Sequence, residues 1–155
     1  MRILVFSDTH GMIDNCISTV ERIKDVDMII HAGDVSADAE DLQSVFPDIP
    51  VRFVSGNCEM PRAPIDIEFD AGGKKFFVTH GHAYSVKSDR EYRQLTLHAR
   101  EIGADIAIFG HTHSPLCDNK GDLILLNPGS VRYGRTYGVV EIEDGKMRAA
   151  VIDVF

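Results

Sequence analysis

Two imidazoles stand two residues apart in the stretch Phe109-Gly110-His111-Thr112-His113-Ser114, directly after the run Asp105-Ile106-Ala107-Ile108. Alternate residues of an extended segment project to the same side, and neutral imidazole is the commonest metal ligand among side chains. The spacing therefore points to a metal site at the end of a buried strand. It is equally compatible with a solvated loop whose two rings meet only water. Partners elsewhere in the chain decide between the two.

Such partners have to be delivered by the secondary structure. The chain opens with a strand, "RILVF", and continues into "MIDNCISTVERIKDV", where Ile13, Cys16, Ile17, Val20 and Ile23 share one helical stripe and Asp14 is the expected N-cap. A short buried strand at 28–30, a helix at about 37–46 and a strand at 51–54 complete a β-α-β-α-β series. Ser36 is the expected cap of that second helix, with Ala39, Leu42 and Val45 inward. Strands connected in this way are parallel with right-handed crossovers, so their C-terminal ends reach one edge of a sheet. The second half departs from this pattern. Residues 65–80 read as a hairpin about Gly72-Gly73, and residues 88–103 as a helix with a Ser88/Glu91 capping box and Gly103 as its stop. Strands follow at about 105–109, 122–126, 137–143 and 147–154, the last two joined by "EDGK". Parallel units followed by a meander predict an α/β fold: a layered α-β-β-α sandwich of two mixed sheets with flanking helices, in one domain over residues 1–155.

Every strand on the predicted functional edge is followed by a residue that can ligate. Asp8 and His10 lie in "SDTHG", Asp34 in "HAGDV", Asn57 in "SGNCE", His80 in "THGH", and His111 and His113 in "GHTH". Ligands of open α/β sheets gather beyond the carboxyl ends of the strands, so these loops are expected to converge. A lone aspartate after a strand is an Asx-turn or an N-cap, and "GD" recurs in ordinary turns. Four histidines at the same junctions make ligation the better reading. Seven donors exceed the roughly three or four that one tetrahedral zinc takes. If a carboxylate bridges, two centres receive about four protein ligands each, and two ions ~3.5–4 Å apart are the usual arrangement for in-line displacement at phosphorus.

The motifs "DTH", "GD", "GNCE", "THGH" and "GHTH", in this order across about residues 6–114, resemble those of the calcineurin-like metallophosphoesterase superfamily, particularly its small single-domain phosphodiesterases. "NPGSV" at 127–131 resembles the same small subfamily, so the likeness spans nearly the whole chain. The resemblance implies that Asp8, His10 and His113 hold one metal, that Asn57, His80 and His111 hold the other, and that Asp34 bridges. On this reading Gly110 permits a tight backbone turn and the two neighbouring rings serve different ions. Two divalent ions lower the pKa of a shared water from ~15.7 towards ~7 and neutralise charge on the phosphoryl oxygens. The implied activity is hydrolysis of a small or nucleotide-like phosphodiester by hydroxide held between the metals, with no protein nucleophile. Mixed histidine, asparagine and aspartate donors suit manganese, the first choice, or nickel, zinc, iron or cobalt better than calcium.

Much of the superfamily carries histidine after the asparagine, where the ring is thought to assist the leaving group; this chain has Cys58. Cys58 is thus expected to act on substrate with Asp34 and Asn57, as a weak acid suited to good leaving groups. The alternative is a small buried hydrophobe. His82 is expected in a solvated loop, with substrate contact as the second reading, and His31 as a satisfied residue at a strand end. His98 is expected on the exposed or half-buried side of its helix. Asn127-Pro128-Gly129 reads as a turn, Arg132 and Arg135 as surface arginines able to reach a phosphate oxygen, and "SADAED" at 36–41 as a solvated helix start.

Composition narrows the partners. A net charge of −8 leaves no basic face to grip a long nucleic acid. The apolar run before Ser7 is too short for a signal h-region, and no later run approaches a membrane span. Three cysteines without paired spacing, Cys16, Cys58 and Cys117, argue for a reducing cytoplasm. The expected partner is a small phosphodiester, with self-association open because similar small family members associate. Runner-up functions are a phosphomonoesterase with the same dinuclear site and a protein-binding scaffold. The retromer scaffold subunit is a relative of this fold that has lost part of the ligand set, whereas all seven positions are filled here.

Overall fold

The structure, a computed structural model, describes residues 1–154. In chain order its elements are β1 (Arg2–Phe6), α1 (Asp14–Arg22), β2 (Met28–His31), α2 (Ser36–Val45), β3 (Val51–Phe53), β4 (Asp66–Ala71), β5 (Lys74–Thr79), α3 (Arg93–Glu101), β6 (Ile106–Ile108), β7 (Leu116–Asn119), β8 (Ile124–Asn127), β9 (Thr136–Glu143) and β10 (Lys146–Asp153). A single-turn 3-10 helix, His82–Tyr84, follows β5.

Strand β1 shows why layers form. Residues Ile3 to Phe6 are all fully buried, and a period of two sends alternate side chains to opposite faces. Ile3 and Val5 enter a core between two sheets, while Leu4 and Phe6 pack under α1 and α2 with Cys16, Val20, Ala39 and Leu42. The second sheet repeats the device: Phe76, Val78, Ile106, Ile108 and Leu126 point inward, while Phe77, Ala107 and Leu125 meet Leu95 and Ala99 of α3. The strand orders are β10-β9-β1-β2-β3 and β4-β5-β6-β8-β7, both mixing parallel and antiparallel pairs. This is the expected α-β-β-α sandwich.

Register aligns the strand ends. Phe6 pairs with His31 and His31 with Phe53, so the residues after β1, β2 and β3 leave along one edge. Val78, Ile108 and Leu126 are aligned in the same way in the second sheet.

Several local expectations differ from the structure. Asp14 and Ser36 are first helical residues rather than N-caps, and neither helix has a side-chain cap on its N-cap residue. Ser36 instead donates through its amide (2.9 Å) and hydroxyl (2.8 Å) to the carboxylate of Glu59, which arrives from the loop after β3. Val45 is exposed, not inward. Helix α3 begins at Arg93 rather than 88, because Tyr92 is in the left-handed region at φ 52. Its free amides at Arg93 and Gln94 donate to Asp89 Oδ2, so Asp89 replaces the predicted Ser88/Glu91 box. Strand β7 is not predicted at all, since an edge strand with no buried residue carries no hydrophobic alternation. Among the described residues, no helix is long and apolar enough to cross a membrane.

Candidate metal centre

The loops beyond these strand ends hold unusual backbone. Ten non-glycine residues among those described have positive φ, and five of them are predicted ligands: Asp8 (53°), His10 (48°), Asp34 (109°), His111 (66°) and His113 (58°). Such conformations cost roughly 1–3 kcal/mol each and persist only where the surroundings enforce them. Crowding does the enforcing. A Cβ on Gly56 would lie 2.2 Å from Asp34 Cα, and one on Gly110 would lie 1.9 Å from Ser7 Oγ and 2.7 Å from Asp8 Oδ2. Gly110 itself is outside the left-handed region, so its need is space for β1's end and not the tight turn expected from sequence.

All seven predicted ligands meet. Donor atoms of Asp8, His10 and His113 lie within 4.8 Å of one another, as do those of Asp8, Asp34 and His80. His113 Nε2 is 3.2 Å from Asp8 Oδ1, and His10 Nδ1 is 2.5 Å from Asp34 Oδ2. Asn57 Oδ1 is 2.9 Å from His80 Nε2, and the His111 ring centroid is 5.0 Å from that of His80. Asp8 is common to both carboxylate–imidazole groups, while Asp34 links His10 of the first to His80 of the second. Both carboxylates therefore span the cluster.

The donor chemistry fits cations. Ser7 Oγ (2.6 Å) and the His111 amide (3.0 Å) donate to Asp8 Oδ2, leaving the buried Oδ1 without a hydrogen bond. Asp34 Oδ2 is likewise buried without one, despite the nearby His10 ring. Unsatisfied carboxylate oxygens are costly in a protein interior unless a positive charge meets them. His80 Nδ1 lies 2.9 Å from the Ala32 carbonyl, which can only accept, so the neutral ring presents its Nε2 lone pair to Asn57 Oδ1. Two acceptors facing each other suit a shared cation. Burial, the largest cause, pushes the His80 imidazole down, and burial with the neighbouring His80 and Lys87 pushes His111 down to about 4. Neutral imidazole is the form that binds metal.

A second ring of residues holds these loops, and little of it was visible in sequence. His31 is fully buried and accepts the Gly33 amide at Nδ1 (3.2 Å), so its Nε2 proton faces Thr9 Oγ1 at 3.0 Å. Thr9 in turn donates to Asp38 Oδ2 (2.5 Å), which also accepts the Gly11 amide (2.8 Å). Asp38, read from sequence as part of a solvated helix start, is 6% exposed. Asn127 is more than a turn residue: its Nδ2 donates to Gly110 O (3.0 Å) and Thr112 Oγ1 (2.9 Å), while Ser130 Oγ donates to Asp8 O (2.8 Å). Tyr133 stacks on His113 at 5.4 Å and 19°, and Arg132 donates to His10 O at 3.1 Å. Arg135 has no side-chain partner among the described residues. The His82 ring lies 5.6 Å from that of His80, with Nδ1 unpartnered. Cys58 is exposed, which removes the buried-hydrophobe alternative; hydrogen bonding to Asp34, ahead of burial, pushes its thiol up to about 11. His98 is half-buried against Phe77 and Tyr84.

A two-sheet sandwich that gathers carboxylates, an amide and neutral imidazoles at its strand ends belongs to the class of metal-centred phosphoesterase folds. The chain is a member of the calcineurin-like phosphoesterase superfamily, whose domain matches residues 1–145. YsnB of Bacillus subtilis, a probable metallophosphoesterase, is 31% identical over 152 residues, 93% of this chain and 86% of its own. Phosphodiesterase MJ0936 of Methanocaldococcus jannaschii is 25% identical over 176 residues, 99% of this chain and 100% of its own. A predicted phosphoesterase from Streptococcus pneumoniae has a solved structure similar at TM-score 0.81 and 28% identity, over 99% of this chain and 92% of that one. Vps29 of Entamoeba histolytica, solved with zinc, shares the fold at TM-score 0.75 and 22% identity over 100% of both chains.

Proposed function

We propose that the protein is a metal-dependent phosphodiesterase acting on a small or nucleotide-like diester, with two divalent cations, manganese first, at the cluster of Asp8, His10, Asp34, Asn57, His80, His111 and His113. The observation that carries this reading is the convergence of acceptors without donors: Asp8 Oδ1, Asp34 Oδ2, and His80 Nε2 facing Asn57 Oδ1. Cations bound there would generate a nucleophile from water at neutral pH and offset charge on the phosphoryl oxygens. Asp8 and Asp34 span the pair of positions. Ser7, Asn127 and Ser130 fix the loops that carry Asp8, His111 and His113, so little reorganisation accompanies reaction. Cys58, an exposed thiol beside Asp34, would serve the leaving group as a weak donor.

Diester preference is supported by the relative named a phosphodiesterase and by the thiol in place of a stronger acid. Free cysteines among the described residues accord with a reducing cytoplasm. The test is hydrolysis of bis(p-nitrophenyl) phosphate and p-nitrophenyl phosphate after chelation and addition of single metals. Metal-restored turnover that favours the diester and vanishes in Asp34→Asn is expected. Monoester preference would replace this reading with a phosphomonoesterase. Absence of turnover with every metal would favour a scaffold, as the Vps29 fold likeness allows.

A further inference from the structure

The cations of this acidic chain are unevenly committed. Two open hollows of similar size border α3 and the loop before it, about 600 Å³ and about 570 Å³. In the first, Arg93 meets Glu91 at 2.7 Å, Arg100 meets Asp122 at 2.8 Å and Lys120 meets Asp118 at 2.9 Å. The second is lined by Val86, Lys87, Arg90, Tyr92, Thr112 and Ser114. Here Lys87 and Arg90 have neither an ion pair nor a hydrogen bond among the described residues. Neither acidic residue flanking Arg90 pairs with it: Asp89 Oδ2 accepts the Arg93 and Gln94 amides and Glu91 pairs with Arg93.

This second hollow shares a loop with the metal centre, since Thr112, which lines it, is the residue between His111 and His113. Thr112 Oγ1 accepts two hydrogen bonds, from Asn127 Nδ2 (2.9 Å) and from the Ser114 amide (3.2 Å), and donates to nothing among the described residues. Its hydroxyl proton is therefore available to a ligand while its oxygen is held still. An ammonium, a planar guanidinium and a fixed hydroxyl donor are the recognition set of a phosphate group.

We propose that this hollow is a subsite for a second phosphate, carried by the diester away from the bond that is broken. The proposal rests on the phosphodiesterase reading and names its substrate class: a nucleotide-like diester that also bears a phosphate monoester. Arg90 and Lys87 take the phosphate oxygens, Thr112 donates to one of them, and the scissile phosphate lies on the His111 side. Arg90, within the stretch that reads in sequence as a helix cap, is in this account part of the substrate site.

Two matched measurements on the metal-loaded protein test it. The first compares hydrolysis of thymidine 5′-(p-nitrophenyl phosphate) with that of the same ester carrying a 3′-phosphate. The second compares calorimetric binding of thymidine 5′-phosphate with that of thymidine 3′,5′-bisphosphate. The added phosphate is expected to raise kcat/KM and affinity about tenfold in the wild type. In the double variant Lys87→Ala, Arg90→Ala that advantage should fall below about twofold, and in Lys87→Glu, Arg90→Glu it should reverse. Equal treatment of the paired ligands by the wild type, or an advantage that survives in both variants, overturns the subsite. If neither ester is hydrolysed the phosphodiesterase reading fails, and the calorimetric comparison then judges the anion subsite by itself.

Discussion

The two edges of the sandwich differ in which residues take positive φ beside their glycines. At the edge away from the metal centre, the hairpin and strand turns place Gly73, Gly121 and Gly145 at φ 74°, 91° and 73°, and a Cβ on any of them would meet nothing within 4 Å. At these three positions glycine serves conformation only, whereas Gly72 beside them is also crowded by Ile142. At the metal edge positive φ falls on aspartates and histidines as well as on Gly11, Gly33, Gly81 and Gly129, while Gly56 and Gly110, outside that region, serve space. Strain is therefore concentrated where donors have to be aimed. It is accompanied there by the buried carboxylate oxygens without hydrogen bonds. Stability has been given up locally for an arrangement of acceptors, a trade expected of a functional edge and not of a structural one.

Asp34→Asn gives the sharpest form of this contrast. On the proposed function, an amide in place of the carboxylate should weaken cation binding and lower turnover by about a thousandfold or more. The same change removes a buried charge whose Oδ2 has no directed donor. Melting curves of the chelated variant should therefore match or exceed those of the chelated wild type, while the rise produced by added manganese should shrink. A chelated variant that melts well below wild type would mean that Asp34 is held for structure, and the contrast between the edges would weaken.

Glycine substitutions compare the edges directly. Gly110→Ala forces a methyl into Ser7 Oγ and Asp8 Oδ2, so we expect a loss of about 3 kcal/mol or more together with loss of metal-dependent stabilisation. Gly145→Ala meets only the left-handed penalty, about 1–2 kcal/mol, and should leave metal binding intact. Urea unfolding with and without manganese measures both.

How much of this edge can be read from the chain depends on how far each feature reaches. The convergence of the seven predicted donors was legible because they follow five strands, and strand ends are local features of hydrophobic pattern. The inner and outer layers of β1 were legible for the same reason. Gly110 was misread, because its crowding comes from Ser7 and Asp8, more than a hundred residues away. Asp38 looked like one charge in a solvated helix start, because only the folded chain brings Thr9 and the Gly11 amide to it. Glu59 at the start of α2 and Asn127 across Gly110 belong to the same class: polar residues whose partners are supplied by tertiary approach. Lys87 and Arg90 stand out only once the other cations around α3 are seen to be paired.

Acid titration probes the support of the metal edge. Burial holds His31 down to about 4, well below the ordinary 6.5, through a fully enclosed site. Between these values the unfolded chain binds a proton that the folded chain refuses. The neutral ring's contribution is thus complete above pH 6.5 and is lost as pH falls towards 4, by up to about 3 kcal/mol. His31→Gln should flatten the pH dependence of unfolding free energy in that window by about one proton. At the opposite edge Glu143, Asp144 and Lys146 are exposed, and neutralising them should not change that slope comparably. An unchanged slope in His31→Gln would place the acid sensitivity elsewhere.

The smallest expected effect concerns an exposed thiol at the metal edge. Cys58 is exposed, and its thiol, raised to about 11 by the Asp34 carboxylate first, is protonated at neutral pH but a poor acid. An imidazolium at the same position has a pKa nearer the working pH and transfers its proton more readily to a departing alkoxide. Nitrophenolate leaves without such help. Cys58→His should therefore leave kcat/KM on bis(p-nitrophenyl) phosphate within about twofold while raising it several-fold, up to about tenfold, on diesters with alkyl leaving groups. Plotted against leaving-group pKa, the logarithm of the rate should fall less steeply in the variant. Parallel lines for the two proteins would show that the leaving group departs away from residue 58, and that Cys58 belongs with the exposed surface and not with the functional edge.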